Sequence, residues 1–347
     1  MKRNSWFLDY EIFCIIVGNT FKYTTMTKRL ILGGIESILL LSLVSRLSFA
    51  QGVFPPSLQG NPLEGAIDFH VHSAPDESAR SIDDIEIAAK AREYKMRAIV
   101  LKNHLTMTAD RAYIAQKIVP GIEVFGGIVL NKAVGGINPE AVRRMVNFTG
   151  QRGKVVWLPT LDAVNHIQFF RENRKGVNLL DENGKPVPEL LEVFKIIAEN
   201  DLILEMGHSS AKEILTLIPV AREMGVKKIL VTHAMQDPVR LSLEDMKEVA
   251  RMGGYMEHAF IGTLMGPQAH QAWMRNWSQV SLSDIARAIK TVGAQYYILS
   301  SDLGQAMNPI HPDGLRAFIE GLLKEGITRE EIDLMARKNP ARLLGLE

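Results

Sequence analysis

The chain has 347 residues, 46% of them hydrophobic and 23% charged, enough for one large domain or two small ones without disulfide staples. A formal net charge of +1, with no long basic run, excludes the electrostatics of a nucleic-acid binder. The single cysteine, Cys14, excludes a disulfide framework and, past the first fifty residues, any thiolate nucleophile or ligand.

In chain order, residues 1–50 differ from the rest. Met26-Thr27-Lys28-Arg29 gives a basic start, and Leu30 to Val44 is mostly apolar, although Glu36 interrupts it. Ser48-Phe49-Ala50 before Gln51 then has the small-x-small form of a signal-peptidase site. Met26 to Ala50 reads as an export signal, which would place the mature protein in the periplasm or outside the cell. Met1 to Thr25 reads as an upstream extension whose apolar patch, Ile12 to Val17, is too short to span a bilayer. The alternative is a retained anchor, with the membrane touched through this segment alone. Residues 51–347 are the expected catalytic domain.

From Gly65 onward the chain repeats a short apolar strand, a turn and an amphipathic helix. Strands are expected at 66–72, 97–104, 123–131, 154–161, 202–208, 227–233, 254–261 and 295–302. Helices are expected at 82–94, 139–149, 188–200, 211–224, 243–252, 282–292 and 315–324. Eight such units match a (β/α)8 TIM barrel in number and length. An open doubly wound sheet is the alternative, but no glycine-rich dinucleotide loop follows the first strand.

The first strand, Ile67-Asp68-Phe69-His70-Val71-His72, alternates apolar and polar residues. Period two would send Asp68, His70 and His72 to one face and Ile67, Phe69 and Val71 to the other. Two imidazoles one strand pitch apart suit a divalent metal. Later strands also end in polar residues: Lys102 and His104, His208, His233, Glu257 or His258, and Asp302. Six of the nine histidines lie at such ends, and in a barrel those ends converge on one rim. The fourth connection, Asp162 to Lys185, is long, and its Asn183-Gly184 reads as a hairpin turn. A functional part is expected only for its base, Asp162 to His166. The stretch Gly262 to Ser281, with Trp273, Trp277 and His270, reads as packing rather than as a roof over the pocket.

These motifs together resemble the amidohydrolase superfamily of metal-dependent hydrolases. The resemblance rests on Asp68-x-His70-x-His72, on Met206-Gly207-His208-Ser209, on Val231-Thr232-His233 and on Ser300-Ser301-Asp302, and it covers nearly all of residues 65–347. The closing segment Asn339-Pro340-Ala341-Arg342-Leu343-Leu344-Gly345-Leu346 is similar too. The resemblance implies that His70, His72, His208, His233 and Asp302 hold metal, with Asp302 moving protons and His233 at the catalytic centre. The fourth strand departs from the dinuclear members: Val155 to Thr160 offers no lysine to carboxylate. Lys102 is the inward candidate, open to three parts: a carbamate bridging two metals, a cation for a substrate carboxylate, or a partner for Glu257.

Imidazoles with one carboxylate suit zinc, and manganese, iron or nickel would fit the same donors, as one ion or two. The implied reaction is hydrolysis of an amide, lactone or ester bond of a small molecule by metal-activated water, with Lys102, His104, His166 and Glu257 orienting the substrate. Alternatives are a phosphoesterase of the polymerase-and-histidinol-phosphatase type, a metal-dependent decarboxylase, and, more distantly, a non-catalytic binding barrel. A second copy of the chain is an open partner.

Overall fold

The computed structural model describes residues 60–347, together with the backbone of a short antiparallel pairing of Ile15–Ile16 with Phe21–Lys22. The chain divides between Val53 and Phe54, and the second unit is the one described below. The export segment expected at 26–50, and the extension before it apart from that pairing, lie outside the described residues. Among the described residues no helix is long and apolar enough to cross a membrane.

Eight strands follow in sequence: β1 (Ile67–His72), β2 (Ala98–Lys102), β3 (Glu123–Val129), β4 (Gly153–Trp157), β5 (Ile203–Glu205), β6 (Lys228–Val231), β7 (Tyr255–Ala259) and β8 (Tyr297–Ser300). Each pairs in parallel with the next. The sheet closes where the backbone beyond β8 meets β1. There Asp302 N–H donates to His70 O at 3.0 Å and His72 N–H to Leu303 O at 3.0 Å. The fold is therefore a (β/α)8 barrel.

Helices fill the connections: α1 (Asp84–Glu93), α2 (Ala109–Ile118), α3 (Pro139–Asn147), the short α4 (Val164–Phe169), α5 (Pro188–Glu199), α6 (Ala211–Glu223), α7 (Leu243–Arg251), α8 (Leu282–Val292) and α9 (His311–Lys324). Capping boxes start α1 at Asp83/Glu86, α6 at Ser210/Glu213 and α7 at Ser242/Asp245, satisfying amide donors that the first helical turn leaves open. Sequence periodicity misses α2. Its apolar positions do not form one stripe, since Ile114 and Ile118 point to solvent, and the Thr108 hydroxyl before it bonds Leu101 O at 2.7 Å rather than capping the helix.

Two apolar layers result. Ala98, Val100, Val155, Trp157, Ile203, Leu230 and Ile298 fill the barrel, with Ala341, Leu343 and Leu344 of the terminal helix (Asn339–Leu344) packed against them. Val71, Ile99, Leu101, Ile128 and Val156 face the helices instead. Ile67 and Phe69 belong to the inner cluster while Val71 belongs to the outer one, which corrects the strict alternation expected of β1. The pairing with β2 shifts register between Asp68 and Val71, and a bulge of this kind re-aims side chains.

The strands also stop two or three residues before His104, His208, His233 and Asp302, so those side chains stand on the loops just above the sheet. Three of these turns use left-handed backbone: Gly207 at φ +57°, His233 at +29° and Asp302 at +51°. In the fourth connection α4 replaces an expected irregular loop. The hairpin turn forms as expected, with Gly184 N–H to Asp181 O at 3.0 Å and Asp181 N–H to Lys185 O at 2.7 Å.

Candidate metal centre

All five expected ligands line one cavity of about 590 Å³ at the carboxyl ends of the strands. They stand in two groups. The Nε2 atoms of His70 and His72 lie 3.1 and 3.2 Å from Asp302 Oδ1, and the three donors fall within 4.8 Å of one another. His208 and His233 form the second group, Nε2 to Nε2 at 3.2 Å, with the His233 ring stacked 6.2 Å from that of His70.

Neighbouring groups aim these rings. His70 Nδ1 lies 3.0 Å from Glu257 Oε1, and Glu257 also accepts from the His233 N–H at 2.9 Å and from the Ser300 hydroxyl. A proton on His70 Nδ1 leaves the Nε2 lone pair facing Asp302, the arrangement a metal ligand needs. Behind His208, its Nδ1 and that of His166 are 2.8 Å apart, so one nitrogen carries the proton and the other accepts it. His72 Nδ1 and His233 Nδ1 have no hydrogen-bond partner among the described residues.

Burial sets the charge states. It holds His72 well below its ordinary pKa, with Arg80 adding to the shift, and holds His208 well below, with His233 adding. It lowers His233 to about 4. Those three imidazoles are thus neutral at pH 7 and have lone pairs to give. For Glu257, burial favours the neutral acid, yet His70, His233 and Lys102 outweigh it and hold the carboxyl below the usual carboxylate range.

The other expected site residues divide. His104 lines the cavity, 4.8 Å from the His72 ring, with Nδ1 2.9 Å from Thr160 Oγ1. His166 lines it as well. Lys102 reaches the cavity with its ammonium unpartnered, 5.1 Å over the Trp157 ring, so the hydrogen-bonded pair with Glu257 is not formed. Glu257 is fully buried and outside the lining. This corrects the expectation that it orients substrate: its oxygens serve His70, His233 and Ser300. His258 faces away, stacked 4.5 Å from Tyr297. Trp273 and Trp277 line the cavity, Trp277 lying 5.0 Å from Phe170, so their loop is a wall of the site rather than packing elsewhere.

Two residues escaped the sequence reading. Glu205 ends β5 inside the barrel, one oxygen accepting from Thr232 Oγ1 at 2.9 Å and the other unpartnered. Burial and the Glu257 charge push its carboxyl well above the ordinary range. Its signal is an acid at an inward position of an otherwise apolar strand. Arg80 lines the cavity from the loop after β1, and nothing in the local pattern marks it.

The donor set fits a divalent metal. Neutral imidazole nitrogens and a carboxylate oxygen converge, cysteine is absent from residues 51–347, and the two donor groups leave room for one ion or two.

A barrel with a histidine-lined cavity at its carboxyl rim is the class of protein that this architecture defines. Residues 65–257 match a family described as "Family of unknown function (DUF6282)", and the chain belongs to that family. No curated protein matches the chain. Among solved structures it is similar to the organophosphorus hydrolase from Deinococcus radiodurans, at 16% identity over 82% of this chain and 93% of that one, with a TM-score of 0.54. It is also similar to a dihydroorotase, at 13% identity over 82% and 70%, TM-score 0.55. A candidate 2-pyrone-4,6-dicarboxylic acid hydrolase from Pseudomonas putida matches at 17% identity over 82% and 98%, TM-score 0.52. At these identities the likeness carries the barrel fold.

Proposed function

We propose that the chain is a metal-dependent hydrolase of the amidohydrolase type, cleaving an amide, lactone or ester bond of a small molecule. The observation that carries this is the meeting of His70, His72 and Asp302 around one point, with His208 and His233 beside them in one cavity. The hydrolase names of the similar structures support it. A divalent ion held there supplies Lewis acidity and lets water ionise near neutral pH.

The chain's own residues do the rest. Asp302 has one oxygen among the ligand imidazoles and a side chain still partly open to the cavity. It accepts the attacking water's proton and returns it to the leaving group. Glu257 holds the His70 tautomer, and His166 orients the His208 ring through the contact between their Nδ1 atoms. Phe170 and Trp277 give one wall of the cavity an apolar, aromatic surface, and His104 and Lys102 line the same cavity, available to a substrate's polar groups.

The test is a screen of amide, lactone, carboxylic ester, phosphotriester and phosphomonoester substrates on metal-loaded and chelator-treated protein, with metal counted per chain. Metal-dependent cleavage of a carbonyl substrate is the expected result. Phosphomonoester cleavage with three metals would favour the phosphoesterase reading, and carbon dioxide release without hydrolysis the decarboxylase. Two metals with a carboxylated Lys102 would make that residue a bridge. Zinc is the proposed ion. Export through Met26 to Ala50 is proposed with it, and N-terminal sequencing of the secreted or periplasmic protein should begin at Gln51.

A further inference from the structure

Arg80 reaches the cavity on a loop that two neighbours hold in place. Ser81 N–H donates to Gly304 O at 2.9 Å, and Arg80 itself forms an antiparallel bridge with Gln305. Its Nε and Nη2 both donate to Asp76 Oδ2, at 3.0 and 2.9 Å, and the same oxygen accepts from Asn103 Nδ2 at 3.0 Å. The guanidinium is thereby clamped beside the end of β2, where Lys102 and His104 line the same cavity. Nη1 donates to no group among the described residues, and a planar fork held on one edge presents its other edge in fixed orientation.

The remaining charges around the cavity point the same way. Lys102 is 1% exposed and its ammonium has no partner. The acids on the lining are already engaged, Asp302 with His70 and His72, and Glu172 with Arg174 at 2.6 Å. What stays uncommitted is the Lys102 ammonium and the Nη1 edge of Arg80. On the His166 and His208 side stand the flat rings of Phe170 and Trp277.

We propose that the cavity takes a carboxylate-bearing small molecule, with Arg80 Nη1 and the Lys102 ammonium holding the carboxylate and Phe170 and Trp277 meeting an apolar, planar body. The bond to be cleaved rests on the hydrolase reading above; the binding does not. Arg80 would then set specificity, since a neutral substrate leaves its Nη1 edge and the Lys102 ammonium beside it without an anionic acceptor, which penalises that substrate.

Calorimetry of the metal-loaded protein with benzoate beside its neutral twin benzamide reads the preference without turnover. Hydrolysis of 4-acetoxybenzoate beside phenyl acetate reads it with turnover. Arg80→Met is compared with the double variant Asp76→Asn/Arg80→Met, which does not strand a buried Asp76 charge. The wild type should prefer the acid in both assays, and the acid-to-neutral ratio should fall about ten- to hundredfold in both variants. A wild type without preference, or a ratio unchanged in the double variant, overturns the proposal. Ester cleavage with an unchanged ratio leaves the hydrolase reading standing and removes the anion site. A benzoate preference lost on substitution, with no ester cleaved, keeps the anion site and removes the hydrolase reading for esters.

Discussion

Asp302 sits at φ +51°, a conformation uncommon for any residue but glycine and one that persists only where surrounding structure enforces it. Here the enforcement is visible: its N–H bonds His70 O, and its Oδ1 faces the nitrogens of both β1 histidines. If it is the proton-transfer group, Asp302→Asn keeps size and one ligating oxygen but accepts no proton. Turnover should drop by about 10²-fold or more while most of the metal remains. Near-normal turnover at full metal occupancy would show that Asp302 only ligates. The double change His70→Ala/His72→Ala should abolish metal binding and leave far-ultraviolet circular dichroism intact, because these side chains line the rim cavity rather than the packed interior. Undiminished metal content by elemental analysis would place the site elsewhere.

At the scale of elements, ligand placement depends on turns more than on strands. Gly207 precedes His208 at φ +57°, and a Cβ there would come within 2.2 Å of Leu158 O and 2.5 Å of Pro159 O. Gly207→Ala should therefore cost about 2–4 kcal/mol and drag His208 off its partner His233. Melting temperature and metal affinity should fall together, and a variant unchanged in both would mean that the turn relaxes freely. Such turns mark the limit of what the sequence discloses. All eight strands are legible because apolar runs bounded by turn residues follow from local chemistry, and the strand-end histidines are legible because a barrel gathers those ends. The bulge in β1 is not, since it comes from pairing with β2 and reverses the facing expected for Ile67 and Phe69. Nor is the burial of Glu257, a residue with the look of a cavity acid whose oxygens are claimed by backbone and side chains far away in sequence. Arg80 is hidden for a related reason: beyond Asp76, four residues earlier, its placement follows from Asn103 and Gln305, far away in the chain.

For the whole molecule, buried neutral imidazoles tie stability to pH. His258 is held at about 3 by burial, against an ordinary 6.5. Below pH 6.5 the unfolded chain takes up a proton that the folded one refuses, so stability is lost as pH falls from 6.5 toward 3. Between pH 7 and pH 5 this one residue contributes a loss of about 2 kcal/mol. In metal-stripped protein, His258→Phe should lose that much less than the wild type over the interval, measured by urea unfolding at both pH values. Equal losses would assign the acid sensitivity to other groups.

The seam between β8 and β1 has a consequence for how the protein comes to exist. Asp68 Oδ1 accepts from Ser301 N–H at 2.9 Å, Asp302 N–H reaches His70 O, and His311 Nε2 donates to both His72 O and Leu303 O, at 2.9 and 2.8 Å. Most of these contacts join residues more than 230 positions apart, the kind whose loop-closure entropy defers them to late in folding. The same seam brings Asp302 to His70 and His72. A chain still leaving the ribosome already has both histidines but cannot have the triad, so the donor set proposed for the metal is assembled only in the completed circle. Pulse-labelled hydrogen exchange during refolding should find the Ser301 and Asp302 amides among the last protected. Protection there before β4 and β5 would mean that the ring closes early and that the metal site precedes the barrel.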